Sequence, residues 1–173
     1  MQRKIKRKEE VEYDNLTSIK DLKGTEHVWP ACDKLGNIAV FVTAGGGYAP
    51  ITYIKNFKIF ELVLEYLSKL PIVNNAYIEY KLDSSYLKNP FSLVNKGVFI
   101  FDSDSFGCPY KMVEAPNTLV NLNEIDPVIN SILSLNCFKS ISFLETVKIK
   151  KSLIVEDIEV ALKSTFRKIS NQG

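Results

Sequence analysis

Two carboxylates one residue apart, Asp102 and Asp104, follow the apolar run Gly97-Val-Phe-Ile-Phe101. An aspartate pair at a strand end has the chemistry to hold a divalent cation and pass a phosphoryl group, one carboxylate attacking phosphorus while the other manages the proton. Such a site draws further acidic metal ligands from a long stretch of chain beyond the pair. Here the pair falls past mid-chain. A calcium loop fits no better, because Phe106 stands where an oxygen ligand belongs and the distal glutamate is out of register. The pair reads better as a polar hairpin turn. A metal-dependent phosphoryl-transfer enzyme using Asp102 and Asp104 is the alternative; the preferred reading expects no catalytic residue, no metal and no cofactor.

Gly45-Gly46-Gly47 has the backbone freedom to wrap a phosphate, but Tyr48-Ala49-Pro50 follows where a P-loop carries Lys and Ser or Thr at a helix start. A tight or flexible connection is the simpler reading. His27 is the single histidine, which excludes two-histidine ribonuclease chemistry and multi-histidine metal sites. Nucleophilic catalysis would have to pair it with a Ser or Cys that nothing selects. Cys32, Cys108 and Cys137 form neither a CxxC pair nor a ligand cluster, and an odd number of thiols cannot close completely into internal disulfides. Trp29 and the tyrosines lack the aromatic ladder of an RNA-recognition motif, so core or partner-contact roles suit them better.

The elements that position these residues follow from periodicity. His27–Asp33, Lys34-Leu-Gly-Asn37 and Ile38–Ala44 read as strand, glycine-containing turn and strand. Asn56 is placed to cap a helix in which Phe57, Phe60, Leu64 and Leu67 make an apolar stripe, widened by Ile59, Val63, Tyr66 and Leu70; Pro71 ends it. Ala76–Leu82 alternates as a strand, residues 84–95 form a loop or short helix interrupted by Pro90, and Gly97–Asp102 is a strand. Residues 103–108 turn, Tyr110–Glu114 pairs back, and Thr118–Leu122 is a further strand. Asn123 caps a helix to about Leu135, Ser140–Ile149 returns to strand, and a helix spans about Glu156 to Ile169 with an acidic start and basic finish. Strands and helices do not alternate as in a βαβ chain, which predicts an α+β fold: a mostly antiparallel sheet with two or three packed helices.

A chain of 173 residues with 46% hydrophobic and 24% charged residues has the size and composition of one folded domain. Residues 25–173 are assigned to it; residues 1–24 are read as a charged arm with a possible short helix from Tyr13 to about Gly24, the first ten residues being mobile. The net charge of +2 is too small to imply a nucleic-acid or membrane partner by itself. The basic run Arg3 to Lys8 offers a nucleic-acid-binding module as a second alternative, but Glu9, Glu10 and Glu12 follow it and favour a solvated tail. The same acids break the pattern of a secretion signal, and no apolar run reaches the roughly 20 residues of a membrane span. With the cysteine pattern, this predicts a cytoplasmic protein.

Two segments resemble bacterial immunity proteins encoded beside secreted polymorphic or contact-dependent toxins. The first runs from Trp29-Pro-Ala-Cys-Asp33 through Gly36, Ile38, Ala39 and Phe41 to Gly45-Gly-Gly-Tyr-Ala-Pro50, similar to that family's D-x-x-G-x-hydrophobic-A-x-F hairpin; the second comprises Gly97-Val-Phe99-Ile-Phe101-Asp102, Pro109-Tyr110-Lys-Met-Val113 and Pro116. The resemblance covers roughly residues 27–122 and rests on turns, core strands and prolines. It implies a stoichiometric inhibitor that binds the catalytic domain of a cognate toxin in the cytoplasm and blocks substrate access. Interfaces of this type join complementary charge to a buried aromatic centre. On that basis Asp102 and Asp104, with the aromatic residues Tyr48, Phe106 and Tyr110, are the partner-contact candidates.

Overall fold

The computed structural model of the chain describes residues 22–73, 77–79, 93–104 and 107–160. β1 (Val28–Cys32) and β2 (Ile38–Val42) form the predicted hairpin, antiparallel from Val28↔Val42 to Cys32↔Ile38. Asp33 builds its turn: Oδ1 accepts from the amides of Leu35 and Asn37 at 2.9 Å each, and Gly36 takes a φ of +82° that glycine tolerates best. Its Oδ2 accepts from Asn37 Nδ2 at 2.9 Å and from the Phe143 amide at 2.7 Å, tying the turn to a segment 110 residues away. A carboxylate only 1% exposed is tolerable because both oxygens are hydrogen-bonded in this way.

β4 (Phe99–Asp104) lies parallel to β2, with Phe101 beside Phe41. Parallel neighbours need a long crossover. Here it carries α1 (Ile51–Lys55), α2 (Phe57–Lys69) and β3 (Tyr77–Glu79). β5 (Gly107–Pro116) returns antiparallel to β4, and its far edge takes β6 (Lys148–Ile149) at Tyr110 and Lys111 and β3 from Glu114 to Pro116. The described residues thus make a six-stranded sheet of order β1-β2-β4-β5-β3, with β6 also beside β5. The fold is α+β and the sheet mostly antiparallel, β2–β4 being the parallel pair.

One face of the sheet is an aromatic core. Trp29 stacks on Phe41 with ring centroids 4.1 Å apart, Phe41 on Phe101 at 5.0 Å, and Phe138 and Phe143 close over them. Val40 is buried, as Phe41 is, although neighbouring strand residues point to opposite faces, so β2 is covered on both sides. Between β4 and β5 the register slips: Ile100 opposes Glu114 while Phe101 opposes Met112, leaving Val113 as the extra residue of a bulge.

Several expected boundaries move, each for a local reason. Asn56 precedes α2 but does not cap it with its side chain, because α1 ends immediately before and Asn56 Nδ2 donates back to the Thr52 carbonyl at 2.8 Å. Phe60, Val63 and Leu67 are the buried stripe of α2, whereas Ile59 is 44% exposed. The C-terminal end of α2 is held by Lys96, a buried ammonium that donates to the carbonyls of Ser68 and Leu70, where the helix dipole favours a cation.

Thr118–Leu122 is not a strand: Asn121 and Glu124 form a capping box around a 3-10 turn, Leu122–Glu124. α3 (Pro127–Leu133) is capped by Asp126 rather than Asn123, the Asp126 carboxylate accepting from the amides of Val128 and Ile129 ahead of a first-turn proline. Of Ser140–Ile149 only Lys148–Ile149 is strand, because side chains take the upstream amides: Ser140 donates to Asp157 at 2.9 Å and Phe143 to Asp33. The last helix begins earlier than periodicity suggested, as α4 (Lys151–Ile154) running into a π-helical stretch, Val155–Val160. The predicted arm at residues 1–10, most of the short helix before Gly24, most of the 84–95 loop and the end of the last helix lie outside the described residues.

Candidate functional site

The glycine loop after β2 sits where β2, β4 and β5 converge. The amides of Gly46 and Gly47 both donate to the Thr43 carbonyl, at 2.9 and 2.6 Å. They are therefore turned into the loop and not outward to an anion. Gly47 has no room for a side chain: a Cβ there would lie 2.5 Å from Tyr110 Oη and 2.7 Å from Ser103 Oγ. Ser103 Oγ itself donates to Thr43 O at 2.6 Å, joining β4 to the loop.

Tyr110 and Tyr48 are built into this junction. Tyr110 is wholly buried; its hydroxyl accepts from Trp29 Nε1 and donates to the Tyr48 carbonyl, both at 3.0 Å. Burial pushes its ionisation well above the usual phenol range. Tyr110, expected as a partner contact, is a core residue in this structure. Tyr48 is 8% exposed, and its hydroxyl donates to Glu159 Oε1 at 2.8 Å while Lys151 Nζ lies 4.7 Å from its ring centre. Burial, and then the Glu159 carboxylate, raise the Tyr48 pKa. The same Glu159 oxygen accepts the Ile51 amide at 2.9 Å, so a residue from the C-terminal stretch caps α1, which Pro50 cannot do. Nothing in the spacing of Tyr48 and Glu159 signals this contact.

Asp102 and Asp104 belong to β4 itself and are not turn residues, because β4 and β5 keep pairing to Asp104↔Gly107. Asp102 is half-buried, between Val42 on β2 and Lys111 on β5. Alternation places it on the opposite face from Phe101 and Ser103. Phe106 lies outside the described residues. Of the five contact candidates, the structure therefore brings Tyr48 and Tyr110 together in a buried network and sets Asp102 across the sheet from it.

His27 is packed as a structural group. Its amide donates to Thr43 Oγ1 at 2.8 Å, and its Nε2 meets Thr25 Oγ1 at 2.8 Å. The Thr25 hydroxyl proton goes to Leu22 O at 3.1 Å, so Thr25 accepts from the ring. The imidazole stands edge-on to Phe57, and burial holds its pKa below the ordinary 6.5. All three cysteines are free, yet Cys32 and Cys137 are bridge partners on adjacent backbone segments, a proximity their sequence separation conceals.

Among the described residues no three His, Cys, Asp or Glu side chains gather in a metal-holding arrangement, and no helix is long and apolar enough to cross a membrane. The molecule is thus defined by its α+β architecture and a polar junction of Trp29, Thr43, Tyr48, Ser103, Tyr110 and Glu159. Compared with family models, curated proteins and solved structures, the chain matches none.

Proposed function

We propose that this chain is a non-catalytic immunity protein that binds a secreted bacterial toxin domain in the cytoplasm and neutralises it by occlusion. The observation that carries the reading is the parallel pairing of β2 with β4. It sets side by side the two sequence segments on which the family resemblance rests, so that they form one continuous piece of sheet. The reading also draws on the use of reactive side chains: Asp33, His27, Tyr48, Tyr110 and Glu159 are each engaged in hydrogen bonds that join elements of the fold. Contact with the toxin is assigned to the β4 end, through Asp102 and Asp104.

The test is co-expression with the toxin domain encoded by the adjoining gene. Growth arrest should be relieved by this chain, and the two proteins should elute as a one-to-one complex. Replacing Asp102 and Asp104 with asparagine should slow association and flatten its salt dependence, since charge complementarity acts mainly on the on-rate. Failure of rescue together with absence of a complex would sink the proposal. Melting with and without magnesium addresses the metal-dependent alternative: a stabilisation by magnesium that disappears in the double asparagine variant would replace binding with catalysis.

A further inference from the structure

We propose that Cys32 and Cys137 are a redox pair that closes reversibly into an intramolecular disulfide when the chain meets a hydroperoxide. Cys32 ends β1, and Cys137 follows a 3-10 turn, Ser134–Asn136, that leaves α3 and runs beside it. The two residues are directly opposed in a parallel bridge, and the Phe138 amide donates to the Cys32 carbonyl at 2.8 Å. Adjacent extended segments lie roughly 4.7–4.9 Å apart, inside the Cα separation of about 4.4–6.8 Å that a disulfide spans. The reduced thiols are directed to backbone carbonyls, Cys32 Sγ donating to Leu133 O at 3.6 Å and Cys137 Sγ to Asp33 O at 3.4 Å, so closing the link takes rotation of the two side chains. The bridge already holds the two backbones side by side.

The pair is also asymmetric. The neighbouring Cys32 thiol, and after it the Lys139 ammonium, hold the Cys137 pKa below its ordinary value against the opposing effect of burial. Cys32 is correspondingly pushed up, and is wholly buried, while Cys137 is partly open to solvent. Cys137 is therefore the attacking sulfur and Cys32 the resolving one. The Cys137 thiolate attacks one peroxide oxygen, the O–O bond breaks, and the departing hydroxide takes a proton to become water, leaving a sulfenic acid. Cys32 sulfur then attacks Cys137 sulfur; the S–O bond breaks, and the leaving hydroxide takes the Cys32 proton as a second water. Both thiols are oxidised and the peroxide is reduced, so electrons and atoms balance. Cys108 has no place in this geometry and is an internal control.

The experiment treats the full, reduced chain with hydrogen peroxide, blocks remaining thiols with an alkylating reagent, and maps peptides without reduction. A cross-linked peptide containing Cys32 and Cys137, with Cys108 alkylated and the link removed by dithiothreitol, is expected. The oxidised chain should melt at a higher temperature than the reduced one, because the link closes a long loop in the unfolded state. Cys32→Ser should instead accumulate a sulfenic acid on Cys137 that a carbon nucleophile traps; should this variant not fold, the wild-type map decides alone. Overoxidation of Cys137 without a cross-link, a link through Cys108, links only between chains, or a lower melting temperature on oxidation would each overturn the proposal.

Discussion

At the scale of single residues, side chains of reactive type in this protein are largely spent on architecture. His27 illustrates the consequence and makes it measurable. Its native pKa is held below 6.5 by burial, whereas in the unfolded chain it titrates near 6.5. As pH falls through 6.5 the unfolded state takes up a proton that the native state refuses, so stability drops until the lowered native pKa is reached and then levels. The difference between the pH profiles of wild type and His27→Gln, from denaturant midpoints taken above and below 6.5, should show this loss in the wild type alone; parallel profiles would place His27 in solvent. That His27 is alone was legible from the chain, but its engagement with Thr25, Thr43 and Phe57 was not. Likewise Asp33 reads as a turn residue beside Gly36, while its bond to the Phe143 amide spans 110 positions with no local signature.

At the scale of elements, binary patterning succeeds where an element is long and one-sided. α2 and the β1–β2 hairpin were both expected, and the stripe of α2 and the hairpin register place Phe60 and Phe41 in the core. Phe60→Ala and Phe101→Ala should each cost about 3–5 kcal/mol in denaturant unfolding, the range for emptying a large buried site. Ile59→Ala, on the exposed side of α2, should stay within about 0.5 kcal/mol of wild type. A near-neutral Phe101→Ala would contradict its packing between Phe41, on which it stacks, and Phe143. Patterning failed between Ser140 and Val147, where alternation suggests a strand but Asp33 and Asp157 capture amides that a ladder would have used. It failed again at α3, where Asp126 outcompetes Asn123 because Pro127 sets the first turn.

At the scale of the molecule, long-range ties run through every layer: Asp33 to Phe143, Glu159 to Tyr48 and Ile51, Asn136 Nδ2 to the Pro30 carbonyl. Elements tied in this way should unfold together. Trp29, the single tryptophan, is fully buried on Phe41 and reports the centre of the sheet. Its fluorescence and the far-ultraviolet circular dichroism should follow one coincident denaturant transition. Two separated transitions would divide residues 25–173 into independently folding parts.

The amino-acid sequence by itself determined the α+β class, the leading hairpin, the helix of residues 57–69 and the β4–β5 pairing, because these depend on hydrophobic period and glycine placement over neighbouring residues. Only the tertiary structure decided that β2 and β4 lie parallel, that Tyr110 is interior, that Glu159 caps α1, and that Cys32 meets Cys137. Each of these is a contact between residues far apart in the chain. Local propensity carries no information about such contacts, which are selected when the whole sheet closes around its aromatic core and most buried polar groups find a partner.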